Sequence, residues 1–124
     1  MSGIRSHKDL DVLQFAMTLA AGCFAATSVY PREEAYGQTA QIRPASVSIA
    51  ANIAEGFGRE TTAAFIQFLR LAQGSREELE THIMLSDREG LMSSEQATPL
   101  LHDFDSVGRM LRNLIRPLET RLAP

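Results

Sequence analysis

The sequence of 124 residues has no tryptophan, a single cysteine, and aromatic residues that make up only 6% of the chain. A lone cysteine excludes an intramolecular disulfide and is typical of a reducing compartment. With so few aromatic side chains, the core must be built mainly from Leu, Ile, Val, Met and Ala, a set that favours helices over sheets. Cys23 lies among apolar residues, so we interpret it as a buried, unreactive thiol.

Positive charge is also scarce, with 12 basic against 15 acidic residues and a net charge of −3. Dedicated nucleic-acid binders are normally basic overall, so such a role would need a local patch. The uncharged segment 12–30 follows Arg5 and Lys8, as in a secretory signal. However, Asp9 and Asp11 precede it, and it is too polar for a membrane span. We therefore predict a buried first helix in a cytoplasmic protein without membrane contact.

Apolar residues recur at three- and four-residue spacing in four segments, which predicts four amphipathic helices. The predicted helices cover residues 8–27, residues 36–57, a segment from Thr61 or Thr62 to Gly90, and a segment that starts between Ser93 and Pro99. No strand-like alternation or hairpin turn stands out. Short links between helices of this length favour antiparallel neighbours. The sequence predicts an all-α, antiparallel up-down four-helix bundle, with residues 1–124 as one domain.

Prolines and glycines interrupt three of these helices. Pro44 should kink the second helix or delay its start, and Pro117 should disturb the last turns of the fourth. Gly74 lies in the middle of the third helix, where glycine costs about 1 kcal/mol relative to alanine. We therefore expect Gly74 to allow the close approach of a neighbouring helix.

The start of the fourth helix has two candidates. Ser93 with Gln96 matches a capping box, in which two polar side chains satisfy free amide groups at the start of a helix. Thr98 followed by Pro99 is the competing start, because proline is favoured at the first helical position.

Patterns that support catalysis or metal binding are weak. No nucleophile elbow is present, and Gly56-Phe57-Gly58 lacks the Gly-Lys-Ser/Thr ending of a phosphate loop. Glu78 and His82 lie one helical turn apart, but two ligands are too few for a metal site without Glu55 or His102. We predict a protein that is not an enzyme and has no metal and no cofactor.

The basic residues suggest a different activity. Arg109, Arg112 and Arg116 recur at three- and four-residue spacing, so they would form a strip that contacts phosphates. The alternative is a solvated face that complements the helix dipole, with Asp105 paired to Arg109. Further nucleic-acid-binding candidates, more scattered along the chain, are Arg43, Arg59, Arg70 and Arg76.

Polar residues also lie beside the apolar stripe of the second helix. Asn52 and Glu55 are three residues apart and share a face, and leaving them unpaired would cost about 1–3 kcal/mol each. We predict a polar network there, either within the bundle or between subunits. Its further candidate members are Gly74, Ser75 and Glu78.

An ordered set of short motifs covers nearly the whole chain: Asp9-Leu10-Asp11-Val12, Tyr30-Pro31-Arg32-Glu33-Glu34, Tyr36-Gly37, Gln41-Ile42-Arg43, Ser48-Ile49, Asn52-Ile53-Ala54-Glu55-Gly56-Phe57-Gly58-Arg59, Phe65, Phe68-Leu69, Ala72, Gly74-Ser75 and Glu78-Leu79-Glu80-Thr81. The chain thereby resembles the four-helix bundle proteins named after the 23S rRNA intervening sequence. The resemblance implies an up-down bundle that assembles into a homopentameric ring, with no enzymatic activity.

Relatives of that family include the accessory proteins of diversity-generating retroelements, which are basic pentamers. They imply RNA or DNA, and a protein such as a reverse transcriptase, as partners. This chain departs from the pattern in its acidic balance and in Arg43-Pro44, where the family often has two arginines. Two hypotheses stay open. The first is a non-enzymatic homo-oligomer with a nucleic-acid or ribonucleoprotein role, and the second is a protein-binding scaffold that contacts no nucleic acid.

Overall fold

The computed structural model describes residues 7–123, and their side chains from residue 11 onward. Four helices account for most of this part of the chain: α1 (His7–Thr27), α2 (Gln38–Phe57), α3 (Thr62–Arg88) and α4 (Ser94–Leu122). A 3₁₀ helix, Arg32–Tyr36, joins α1 to α2. Residues 7–123 contain no strand, so the prediction of an all-α fold is confirmed.

The four helices pack as the corners of a square. α2 lies beside α1 and α3, and α4 lies beside α3 and α1, whereas the backbones of the diagonal pairs do not approach each other closely over the described residues. Three contacts give the register of α2 against α3: Gln38 with His82, Ser48 with Ser75, and Phe57 with Phe65. Early residues of α2 meet late residues of α3, which is the order expected for helices that run in opposite directions.

The core consists of the predicted apolar stripes. The fully buried residues are mostly aliphatic, and the fully buried aromatic side chains are Phe65 and Phe104. Three apolar residues that helical spacing also predicts on or beside these stripes are exposed instead: Met17, Phe24 and Leu122. Within residues 7–123, none of the helices combines the length and the apolar character that crossing a membrane requires.

The helix starts follow side-chain capping. The Thr61 hydroxyl accepts a hydrogen bond from the Ala64 amide at 3.1 Å, and Ser93 forms the predicted capping box with Gln96. Pro99 lies inside α4, so the alternative start at Thr98 is wrong.

Pro44 and Pro117 do not end the helices that contain them. α2 begins before Pro44 and continues through it, so this proline does not delay the start of the helix. α4 likewise continues past Pro117 to Leu122, so its last turns remain helical.

Gly74 does not allow the close approach of a neighbouring helix of the same chain, so that prediction is wrong for the single chain. A Cβ atom added at this position would meet no atom within 4 Å, because Gly74 lies on the exposed side of α3. Close approaches occur at other glycines. An added Cβ would lie 3.0 Å from Phe65 Cδ1 at Gly56, and 2.9 Å from Arg76 Cζ at Gly108.

A candidate nucleic-acid interface

Arg109, Arg112 and Arg116 lie on one exposed face of α4, which we call the arginine strip. Among the described side chains, no carboxylate lies within ion-pair distance of these three guanidinium groups, and Asp105 does not pair with Arg109. The helical spacing therefore gathers three positive charges on one face without local neutralisation.

Arg43 serves a structural contact between α1 and α2. Its Nε donates a hydrogen bond to the Thr27 hydroxyl at 2.9 Å, and its guanidinium lies 4.8 Å from the centre of the Phe24 ring. The arginine thereby covers part of an exposed aromatic side chain while its charge stays at the surface.

Arg59 and Arg70 form ion pairs within the bundle. Arg59 pairs with Glu55 one turn earlier in the chain and stacks 4.6 Å over the Phe68 ring. Arg70 pairs with Glu119 and so connects α3 to α4. Both guanidinium groups are already partly neutralised, so these residues are weaker phosphate contacts than the arginine strip.

Arg76 is the one arginine among the described residues that is buried, with 8% of its surface exposed. Its Nε donates a hydrogen bond to Gln73 Oε1 at 2.8 Å, and its Nη1 lies 3.4 Å from the Phe104 carbonyl oxygen. The guanidinium fills the space beside Gly108, where any side chain would collide with it. Arg76 therefore holds α3 against α4 and is not available to a ligand.

Part of the predicted polar network forms between α2 and α3. The Ser48 and Ser75 hydroxyls lie 2.9 Å apart, and Asn52 Nδ2 donates hydrogen bonds to the Ser48 carbonyl oxygen at 2.8 Å and to its hydroxyl at 3.0 Å. Ser48 is thus the central member, and its position four residues before Asn52 was the signal that places it on the same face. Glu55 pairs with Arg59 instead, and Gly74 makes no contact of this kind.

Glu78 and His82 do not form a metal site. Glu78 Oε1 lies 3.9 Å from His82 Nε2, and His82 Nδ1 is 3.0 Å from Gln38 Oε1. No cluster of three or more His, Cys, Asp or Glu residues with metal-binding geometry occurs in the part of the chain that the structure describes.

Cys23 lies in the core, as predicted. Burial away from water and, to a smaller extent, the negative charge of Asp103 together raise the pKa of this thiol to about 12. The thiol therefore stays protonated near neutral pH and cannot serve as a nucleophile.

Charge is distributed unevenly along the bundle. The Arg70–Glu119 pair shows that the first turns of α3 and the last turns of α4 share one end of the bundle. The basic residues in this half are Arg59, Arg70, Arg109, Arg112, Arg116 and Arg121, and they outnumber the acidic residues Asp11, Glu55, Glu60 and Glu119. Acidic residues dominate the other half, where they include Glu33, Glu34, Asp87, Glu89, Glu95 and Asp103. The net negative charge thus conceals a local basic surface.

A second exposed surface is apolar. It is a groove between α1 and α2, which we call the α1–α2 groove, lined by Leu13, Met17, Ala20, Val47, Ala50, Ala51 and Ala54. Met17 is 51% exposed and Val47 is 48% exposed. The outer face of a helix in a monomeric protein is normally polar, whereas residues 12–27 of α1, beside this groove, include no charged side chain.

The chain belongs to the 23S rRNA-intervening sequence protein family, whose model matches residues 8–113. It is also similar to a protein of unknown function from the S23 ribosomal protein family of Bacteroides thetaiotaomicron, solved by crystallography at 1.70 Å. That similarity has a TM-score of 0.81 at 24% identity and covers 88% of this chain and 98% of the other, which shows a shared fold. No curated protein matches the chain. Neither similarity points to a catalytic activity.

Proposed function

We propose that this protein is a non-enzymatic, cytoplasmic homo-oligomer, a pentamer, that binds RNA or DNA through the arginine strip on α4. The observation that carries the proposal is the set of three exposed, unneutralised guanidinium groups on one helix face. The family to which the chain belongs, named for an rRNA intervening sequence, supports a ribonucleoprotein setting.

The arginine strip is not explained by the dipole of its helix. Cations complement a helix dipole only within the last turn. α4 ends at Leu122, so Arg109 and Arg112 lie too far from the end to contribute in this way. Arginine guanidinium groups suit phosphate oxygens because they donate paired, charge-assisted hydrogen bonds.

The proposed assembly of several copies fits the same function. The α1–α2 groove gives the chain an apolar surface that a second copy would cover. In a ring, each copy adds one arginine strip to a shared surface, and several weak contacts on one nucleic acid raise the overall affinity. The number five rests on the resemblance to the family, since an apolar surface does not set the number of copies.

The proposal predicts salt-dependent binding that requires the arginine strip. We would measure the fluorescence anisotropy of short labelled RNA and DNA with nuclease-treated protein across salt concentrations. On duplex DNA, each phosphate contact adds about −0.9 to the slope of the logarithm of the binding constant against the logarithm of the salt concentration. The affinity of the native protein should therefore fall steeply as salt is raised. The combined variant Arg109→Ala, Arg112→Ala, Arg116→Ala should bind more weakly and with a shallower slope.

Arg32→Ala and Arg88→Ala provide matched controls, because both arginines are exposed and lie in the acidic half of the bundle. They should leave binding nearly unchanged. If the native protein does not bind either nucleic acid at low salt, the nucleic-acid role is wrong. The acidic half of the bundle would then favour the second function, a scaffold for a basic protein partner.

A further inference from the structure

We propose that the copies assemble head to tail, with the α1–α2 groove of one copy covering an exposed face of α3 on the next. That face, which we call the α3 stripe, consists of Leu71, Gly74, Glu78 and Leu85. The inference rests on the proposed homo-oligomer and adds which two surfaces meet.

The α3 stripe is suited to packing against another copy. Its members recur at the spacing of one helix face, and two are large apolar side chains that are 48% exposed (Leu71) and 39% exposed (Leu85). Gly74 leaves a gap between Leu71 and Glu78, because no atom lies within 4 Å of a Cβ placed there. Glycine lowers helix stability at an exposed position. The gap at Gly74 compensates for this cost if a side chain of another copy packs into it.

The two surfaces lie at the same height on the bundle. Contacts between α2 and α3 define the levels: Gln38 with His82, Ser48 with Ser75, and Phe57 with Phe65. Leu71 and Gly74 therefore fall at the levels of Ala51 and Val47, which line the groove. In a ring whose copies have parallel bundle axes these levels are preserved, so the stripe of one copy faces the groove of the next.

The two surfaces also carry opposite charges at the same level of the bundle. Glu78 is the one charged member of the stripe, and it lies between the levels set by His82 and Ser75. Arg43 occupies the corresponding level on α2, with its charge at the surface beside the groove. A head-to-tail contact would bring these opposite charges together while the apolar residues meet below them.

Two different surfaces meeting in this way make a heterologous interface, which gives a closed ring when the rotation between copies closes and an open filament when it does not. A symmetric dimer formed by two grooves would leave the α3 stripe uncovered. Variants that block one surface at a time distinguish the two arrangements.

The test uses Ala51→Glu to block the groove and Leu71→Glu to block the stripe. Both positions are exposed and glutamate is a good helix former, so each chain should still fold. Light scattering on a sizing column should give a monomer for each variant alone. An equimolar mixture should give a dimer, because one intact groove and one intact stripe remain. Ala25→Glu and Met84→Glu, at exposed positions outside both surfaces, should assemble as the native chain does.

Assembly of Leu71→Glu alone at the native mass would overturn the inference and leave the proposed oligomer standing. A mixture that stays monomeric would also overturn it. A native chain that is itself monomeric would instead refute the proposed oligomer, so the two failures are distinguishable. Circular dichroism of each variant confirms that a monomer mass does not reflect unfolding.

Discussion

Arg76 and Gly108 depend on each other across the interface of α3 and α4. A Cβ atom at position 108 would lie 2.9 Å from Arg76 Cζ and Nε. To make room, the guanidinium would have to leave its hydrogen bond to Gln73. We predict that Gly108→Ala lowers the free energy of unfolding by about 1–3 kcal/mol, as overpacking of a buried site does. Urea unfolding at fixed protein concentration measures this change.

Gly58→Ala is the matched control. An added Cβ there is 3.5 Å from the Glu55 carbonyl oxygen, an ordinary contact, and the backbone is in the right-handed helical region. This variant should lose no stability. In an Arg76→Ala background, Gly108→Ala should also cost little. Equal effects of Gly108→Ala and Gly58→Ala would show that Arg76 does not occupy this space.

Single residues show where the sequence could not predict the structure. Burial of Cys23 followed from its apolar neighbours along the chain. The partner of Arg70, Glu119, lies on a different helix, and no local spacing indicates such a pair. The prediction of a close helix approach at Gly74 failed for the same reason. A glycine in a helix indicates a close approach but does not show whether the neighbouring helix belongs to the same chain.

At the scale of the helices, capping decides where α4 begins. The Ser93 hydroxyl accepts a hydrogen bond from the backbone amide of Gln96 at 3.1 Å. We predict that Ser93→Ala lowers the free energy of unfolding by about 1 kcal/mol, the typical cost of a lost N-cap. Urea unfolding followed by circular dichroism measures this.

Thr98→Ala tests the competing start. The Thr98 hydroxyl donates to the Ser94 carbonyl oxygen inside α4 at 2.8 Å, so it caps nothing. Its replacement should be neutral or slightly stabilising. If Thr98→Ala cost more than Ser93→Ala, the start of α4 would be misplaced.

The four helices could be predicted because their periodicity is local. Buried residues at three- and four-residue spacing determine which face packs inward, whatever the neighbouring helix is. Pro44 illustrates the limit of such rules. Proline removes one amide donor and one hydrogen bond, but packing of the buried face on both sides keeps α2 continuous.

At the scale of the whole molecule, the fold brings together features that are distant in sequence. The basic half of the bundle combines the start of α3 with the end of α4, although the chain is acidic overall. The arginine strip could be predicted, since it lies within one helix. The α1–α2 groove could not be located in advance, because its lining comes from two helices whose pairing the sequence does not state.

The proposed oligomer would cover the α1–α2 groove and bring several arginine strips onto one surface, so both proposals depend on assembly. The most direct measurement is light scattering of the native protein on a sizing column at several concentrations. We predict a mass of about five times the 13.6 kDa of one chain. A mass of one chain at every concentration would show that the proposed oligomer does not form.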